Sequence, residues 1–157
     1  MLPRLQTTTE LVFIPDAGLR EGLRLDISTA NQALANGEWK AATVLAGSVV
    51  EALLLWAVDQ QSPAAITQAI TGAQANGTLQ RPPPPDRQRW DLEHFIPVAA
   101  ALTLITPETA TATSLARGFR NLIHPGRAQR LGQVCDRATA LQALAAVYMV
   151  IRCLTPP

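Results

Sequence analysis

Arg117, Arg120, Asn121 and His124 are the residues of this chain whose types and spacing could do chemistry. They stand at i, i+3, i+4 and i+7, positions that a helix of about 3.6 residues per turn gathers onto one face. The opposite face carries Leu115, Phe119, Leu122 and Ile123, enough to seat the helix in a core. Two permanent cations, an amide and an imidazole therefore lie side by side. Like charges at i, i+3 repel, so the Arg117/Arg120 pair calls for an acid elsewhere in the fold or for an anionic ligand. Between Thr109 and Cys135 the chain has arginines 117, 120, 127 and 130 and no acidic residue. The local field is positive, and phosphate is its natural ligand, with Arg127 a further substrate-binding candidate.

His124 is the one member of the stripe that gains and loses a proton near neutrality, as a general acid or base must. A helix C-terminus favours the imidazolium and the neighbouring arginines oppose it, so the sequence leaves the sign open. A purely structural reading also stands: Arg and His in a last turn often bond its open carbonyls.

Glu51 is the lone charge in the apolar run Ala46–Leu55. A carboxylate buried there needs a partner, and the expectation is an ion pair with Arg117 or Arg120. Ser48, one turn away, or the backbone is the alternative holder. Gly47 would let another helix approach closely. His94 stands alone beside Glu93 without ligand spacing and reads as a surface or satisfied core histidine. Trp39, Trp56 and Trp90 are scattered and read as packing anchors. No metal set, phosphate loop, nucleophile elbow or dinucleotide fingerprint appears, so no metal and no cofactor is expected.

The elements that must position these residues read as helices throughout. Leu19, Leu23, Ile27, Ala30 and Leu34 make one amphipathic face, with Asp16 as N-cap and Asn36-Gly37 as stop. A second helix over 38–60 is apolar nearly all round and belongs at the centre of a bundle. Ser62-Pro63 opens a third, ending near Asn76-Gly77. The stretch 77–89, with prolines 82 to 85 in succession, cannot be helical and reads as a loop across one bundle. Asp91 caps a fourth helix through about Ile105, and Thr106-Pro107-Glu108 starts a fifth that stops at His124-Pro125. A last helix spans roughly 134–154. The expected fold is all-α, a single bundle of five or six helices over residues 1–157 with its core at about 16–154.

Composition agrees. Hydrophobic residues make up 48% of the 157, with few aromatics, and Ala and Leu favour helices over strands. A formal net charge of +1 supplies no global field to recruit nucleic acid or membrane. With Cys135 and Cys153 both on the last helix, their Cα atoms would stand about 27 Å apart. A disulfide needs about 7 Å or less, so free thiols in a reducing, cytoplasmic setting are expected. The first ten residues lack the basic and apolar regions of a secretory signal. The apolar windows 41–58 and 140–154 read as buried helices, with no membrane partner.

Arg117-Gly-Phe-Arg120-Asn121-Leu-Ile-His124-Pro125 resembles the Arg-x(4–6)-His motif of HEPN domains, small α-helical bundles found in many prokaryotic defence and toxin systems. Six residues separate Arg117 from His124. Only three separate Arg120 from His124, outside the motif, although Arg120-Asn121 resembles the Arg-Asn pair often written in the family. The Ala46-Gly-Ser-x-x-Glu51 run is similar to the second helix of HEPN-like proteins. The resemblance spans roughly 16–154. It implies a metal-independent endoribonuclease acting on RNA as a homodimer, its motif helices meeting at a shared cleft. His124 would be the general acid/base for 2′-OH attack, Arg117 would stabilise the phosphorane, Asn121 would orient the scissile group, and Arg120 would anchor phosphate. The alternative it implies is a non-catalytic module for dimerisation, nucleotide binding or partner binding, the partner being an antitoxin or a nucleotidyltransferase.

Overall fold

The computed structural model describes residues 10–120, 124–132 and 134–157, and of Arg120, Ala128 and Leu131 the backbone alone. Among the described residues are seven α-helices and no strand: α1 (Ala17–Ala35), α2 (Trp39–Asp59), α3 (Pro63–Ala75), α4 (Leu92–Ala101), α5 (Pro107–Arg120), α6 (Pro125–Leu131) and α7 (Arg137–Leu154). A single 3-10 turn covers Arg87–Arg89. The all-helical bundle is as expected, and α6 takes the helix count beyond five or six.

Five helix starts have a side-chain cap, while Glu38 ahead of α2 makes no such bond. The Asp16 carboxylate accepts from the Leu19 amide at 2.7 Å, and the Ser62 hydroxyl accepts from the Ala65 amide at 3.2 Å. Asp91, Thr106 and Asp136 do the same for α4, α5 and α7. These bonds satisfy amides that the first turn of a helix leaves open. At the end of α1, Gly37 takes φ +79°. The amides of Gly37 and Glu38 then return to the carbonyls of Leu34 and Ala33, a Schellman closure.

Helix α2 is the hub, packing against α1, α4, α5 and α7. Val49, Val50, Leu53, Leu54 and Val58 are almost wholly buried, as are Val147 and Val150 of α7. α2 and α7 are both long and apolar enough to cross a membrane by length and composition. In this fold 56% of the apolar window of α2 is buried, and α7 buries 39% of its own. α3 packs on α4 and has no comparable contact with the hub. Ahead of α1, Leu11 and Ile14 are buried as well, and Phe13 lies against Trp56 with ring centroids 5.6 Å apart. The core therefore begins before the expected residue 16.

Three boundaries differ from expectation. α4 ends at Ala101 rather than Ile105, because Thr103 adopts φ +57°. The amides of Thr103 and Leu104 then bond the carbonyls of Ala100 and Ala99, the same closure that Gly37 makes, on a β-branched residue that rarely adopts it. Nothing in the residue type signals that stop. Next, Pro125 occupies the first position of a further helix, α6, where its missing N–H is no loss. Last, α7 begins at Arg137 and not at about 134. The Asp136 carboxylate accepts from the Thr139 amide while the Thr139 hydroxyl accepts from the Asp136 amide, each at 3.0 Å. Cys135 thus lies before α7, buried 3.4 Å from the Thr43 hydroxyl, and Cys153 lies 3.3 Å from that of Thr109. The premise for the separation of the two sulfurs fails, yet both thiols are free.

Truncating Leu53, which is fully buried on the hub, should cost about 2–5 kcal/mol as Leu53→Ala, read as a lower urea midpoint. Thr103→Gly should raise that midpoint. Removing the left-handed strain contributes about 1–2 kcal/mol, of which Gly returns about half through its freer unfolded chain. A fall would show that Thr103 is not strained.

Candidate functional site

The stripe read from the sequence divides in the folded chain. Arg117 is exposed near the end of α5 and lines a groove of about 690 Å³ with the segment after α3 and the face of α4. His124 is exposed in the bend before α6 and lines a separate depression of about 640 Å³ with Gly126, Arg127 and Arg130. Asn121 lies outside the described residues, and so does the side chain of Arg120. No carboxylate lines the His124 depression among the described residues. The Arg130 Nε donates to the Gly126 carbonyl at 3.3 Å, which fixes the stem and leaves both terminal nitrogens for a ligand. The amide of Arg127 donates to the His124 carbonyl at 3.0 Å, so backbone bonding ties the histidine to the first turn of α6.

This placement bears on the capping reading. Neither the His124 imidazole nor the Arg117 guanidinium has a hydrogen bond or ion pair with a described residue. They are therefore not spent on helix-end carbonyls, and both are presented to solvent. No acidic residue lies between Thr109 and Cys135 in the sequence. An anion meeting this surface finds fork-shaped donors that suit phosphate oxygens.

Glu51 is half-buried on α2, and Ser48 is exposed. No ion pair joins Glu51 to Arg117, and the Ser48 hydroxyl does not bond it. Pairing of Glu51 with Arg120 lies outside the described side chains. The hub is enclosed on most sides, and Ser48, Glu51 and Leu55 follow one another along the part of its surface that is incompletely covered. Gly47, on the other side, is buried as close packing requires.

His94 is the residue that the sequence undervalued. Its Nδ1 accepts from the Asp91 amide at 3.2 Å, completing the cap of α4, and its ring lies against Trp90 with centroids 6.1 Å apart. It is satisfied on that side, as expected. Yet it also lines the Arg117 groove, with Gln80 and Arg81 from the irregular segment and Ser114 from α5. These residues come from three separate stretches of chain, so no local spacing announces them. Among the described residues no group of three His, Cys, Asp or Glu side chains could hold a metal ion.

The proline-rich stretch is anchored. Trp90 is buried, and its indole N–H donates to the Pro84 carbonyl at 2.7 Å. Arg87 forms an ion pair with Asp59 at the end of α2, and Leu79 is buried. With these geometries in view, the comparisons add no relative: no family model matches the chain, and no curated protein or solved structure is significantly similar to it.

Trp90→Phe keeps the ring and removes the indole donor. It should speed protease cleavage within 80–89 several-fold while shifting the melting temperature by only a few degrees, a loss of about 1 kcal/mol. Unchanged cleavage would mean that the Pro84 bond does not hold the segment.

Proposed function

We propose that this chain is a HEPN-like module that binds RNA at the His124 depression and cleaves it without metal. One observation carries the reading: an exposed imidazole with no hydrogen bond or ion pair to a described residue shares with Arg127 and Arg130 a depression that no described carboxylate lines. Electrostatics there favour a phosphodiester, and the imidazole is the group that can move its protons.

In the reaction, His124 takes the proton of a ribose 2′-hydroxyl, whose oxygen attacks the adjacent phosphorus. The bond from phosphorus to the 5′-oxygen breaks, and that oxygen leaves with a proton as a hydroxyl. The products are a 2′,3′-cyclic phosphate and a 5′-hydroxyl end. A single imidazole cannot be base and acid in one concerted step. Two copies of the chain facing one phosphodiester would supply both, which is why the reading includes a homodimer. The family motif gives transition-state charge to Arg117, but in this chain Arg127 and Arg130 are the guanidiniums beside His124. We assign that role to them. A cytoplasmic protein from a toxin or defence system, paired with an antitoxin or nucleotidyltransferase, fits this reading and the free thiols.

The second reading, a module that binds RNA or a nucleotide without cleaving it, draws on His124 being the single acid/base group among the described residues that line the depression. Incubating end-labelled RNA with the protein in excess EDTA separates the two. Cleavage should leave 2′,3′-cyclic phosphate ends, slow by about 100-fold or more in His124→Ala, and slow by about 10-fold or more in Arg127→Gln. Equal rates in wild type and His124→Ala would remove the catalytic assignment. Retained RNA binding with no cleavage in either would establish the second reading.

A further inference from the structure

The Arg117 groove has the makings of a second site, chemically distinct from the His124 depression. Two cations, Arg81 and Arg117, line it from opposite stretches of chain, against one acid, Glu93. Neither guanidinium has a hydrogen bond or ion pair with a described residue, and the Ser114 hydroxyl has no such bond either. The His94 Nδ1 is engaged by Asp91, accepting from its amide and lying 3.2 Å from its carboxylate. Its Nε2 has no hydrogen bond with a described residue, and the ring lines the same groove. Donors thus converge from the segment after α3, from α4 and from α5.

Beneath this polar end the floor is apolar, formed by Leu79, Leu92 and Ile96, all at least 95% buried. The groove does not stop there. Thr78, Ile96, Pro97 and Ser114 also line an adjoining space of about 540 Å³ that runs on past Ala100, Ala101 and Ala110. No charged residue lines that extension among the described residues. Small-molecule sites combine an apolar cleft of about 300–1,000 Å³ with a few convergent polar groups, and this pair of spaces has that division lengthwise. A bare phosphate would use only the first half, and an uncharged hydrocarbon only the second.

The geometry points to a binding site for an amphiphilic phosphomonoester, its phosphate held by Arg81, Arg117 and His94 and its apolar chain laid along Pro97, Ala100 and Ala101. Guanidinium forks suit the dianionic head, and the small alanine side chains leave room for the tail. The site stands apart from RNA cleavage, because it is read by binding and its head group is held by Arg81 and His94 outside the His124 depression. Loss of either property leaves the other measurable.

Calorimetric titration with octyl phosphate below its micellar concentration, inorganic phosphate and octanol tests it on the whole chain, with thermal melting as the check on folding. Octyl phosphate should bind saturably and about tenfold or more tighter than either inorganic phosphate or octanol, since each lacks half of the ligand. Arg81→Gln and Arg117→Gln, both at exposed positions, should each weaken it about tenfold. Ala101→Trp, exposed at the end of α4, should bring octyl phosphate down to the level of inorganic phosphate. Octyl phosphate binding no tighter than inorganic phosphate would overturn the proposal, as would affinity that neither arginine variant changes.

Discussion

The need to enclose α2 is the constraint on which the rest of this structure depends. A helix apolar nearly all round cannot be left in water, and the long runs of Ala, Val and Leu between Ala42 and Val58 leave it only the short line of Ser48 and Glu51 to offer. Four helices accordingly close around it, with α7 contributing the fully buried Val147 and Val150. α3 is held at second hand through α4, and that indirect attachment shapes the functional surface. Where α3 departs from the hub, the chain must travel back to α4, and the groove beside Arg117 lies along that return.

The same constraint sends the polar chemistry outward. Three buried polar residues, Thr43, Thr109 and Thr113, are the described exceptions in the interior. Each sits within a helix or at its first turn and hands its hydroxyl hydrogen bond to a nearby carbonyl or thiol. Charges are confined to the edges, where Arg117 and His124 come to lie in different depressions. Burial of Ala116 at 1% exposed turns the flanking Arg117 toward the α3–α4 side. Pro125 restarts the helix just after His124 and redirects it toward Arg127 and Arg130. Two depressions stand where the linear spacing presented one face.

Local chemistry was legible and long-range assembly was not. Asp16, Ser62, Asp91 and Thr106 each start a helix where their side chains bond a nearby amide, because capping acts over three residues or fewer. Thr103 shows the limit: it takes a left-handed backbone at the end of α4, against the preference of its own type. α6 escaped notice because a proline that closes one helix and one that opens the next look alike in sequence. Arg117 and His124 of the stripe are exposed groups in the folded chain, and they line different depressions. Arg81, His94 and Ser114 meet Arg117 only through the packing of three segments, which no spacing encodes.

The run from Pro82 to Pro85 has a consequence for the wall that carries Gln80 and Arg81. Proline fixes φ before folding begins, so this stretch has fewer conformations to surrender than an ordinary loop of its length. One indole bond at Pro84 and one ion pair at Arg87 then suffice to hold it. A ligand entering the groove meets a side already in place and loses little of its binding energy to ordering it. Rigidity in this molecule therefore comes not only from the crowded hub but also from a segment with almost no regular structure, stiffened by its covalent rings.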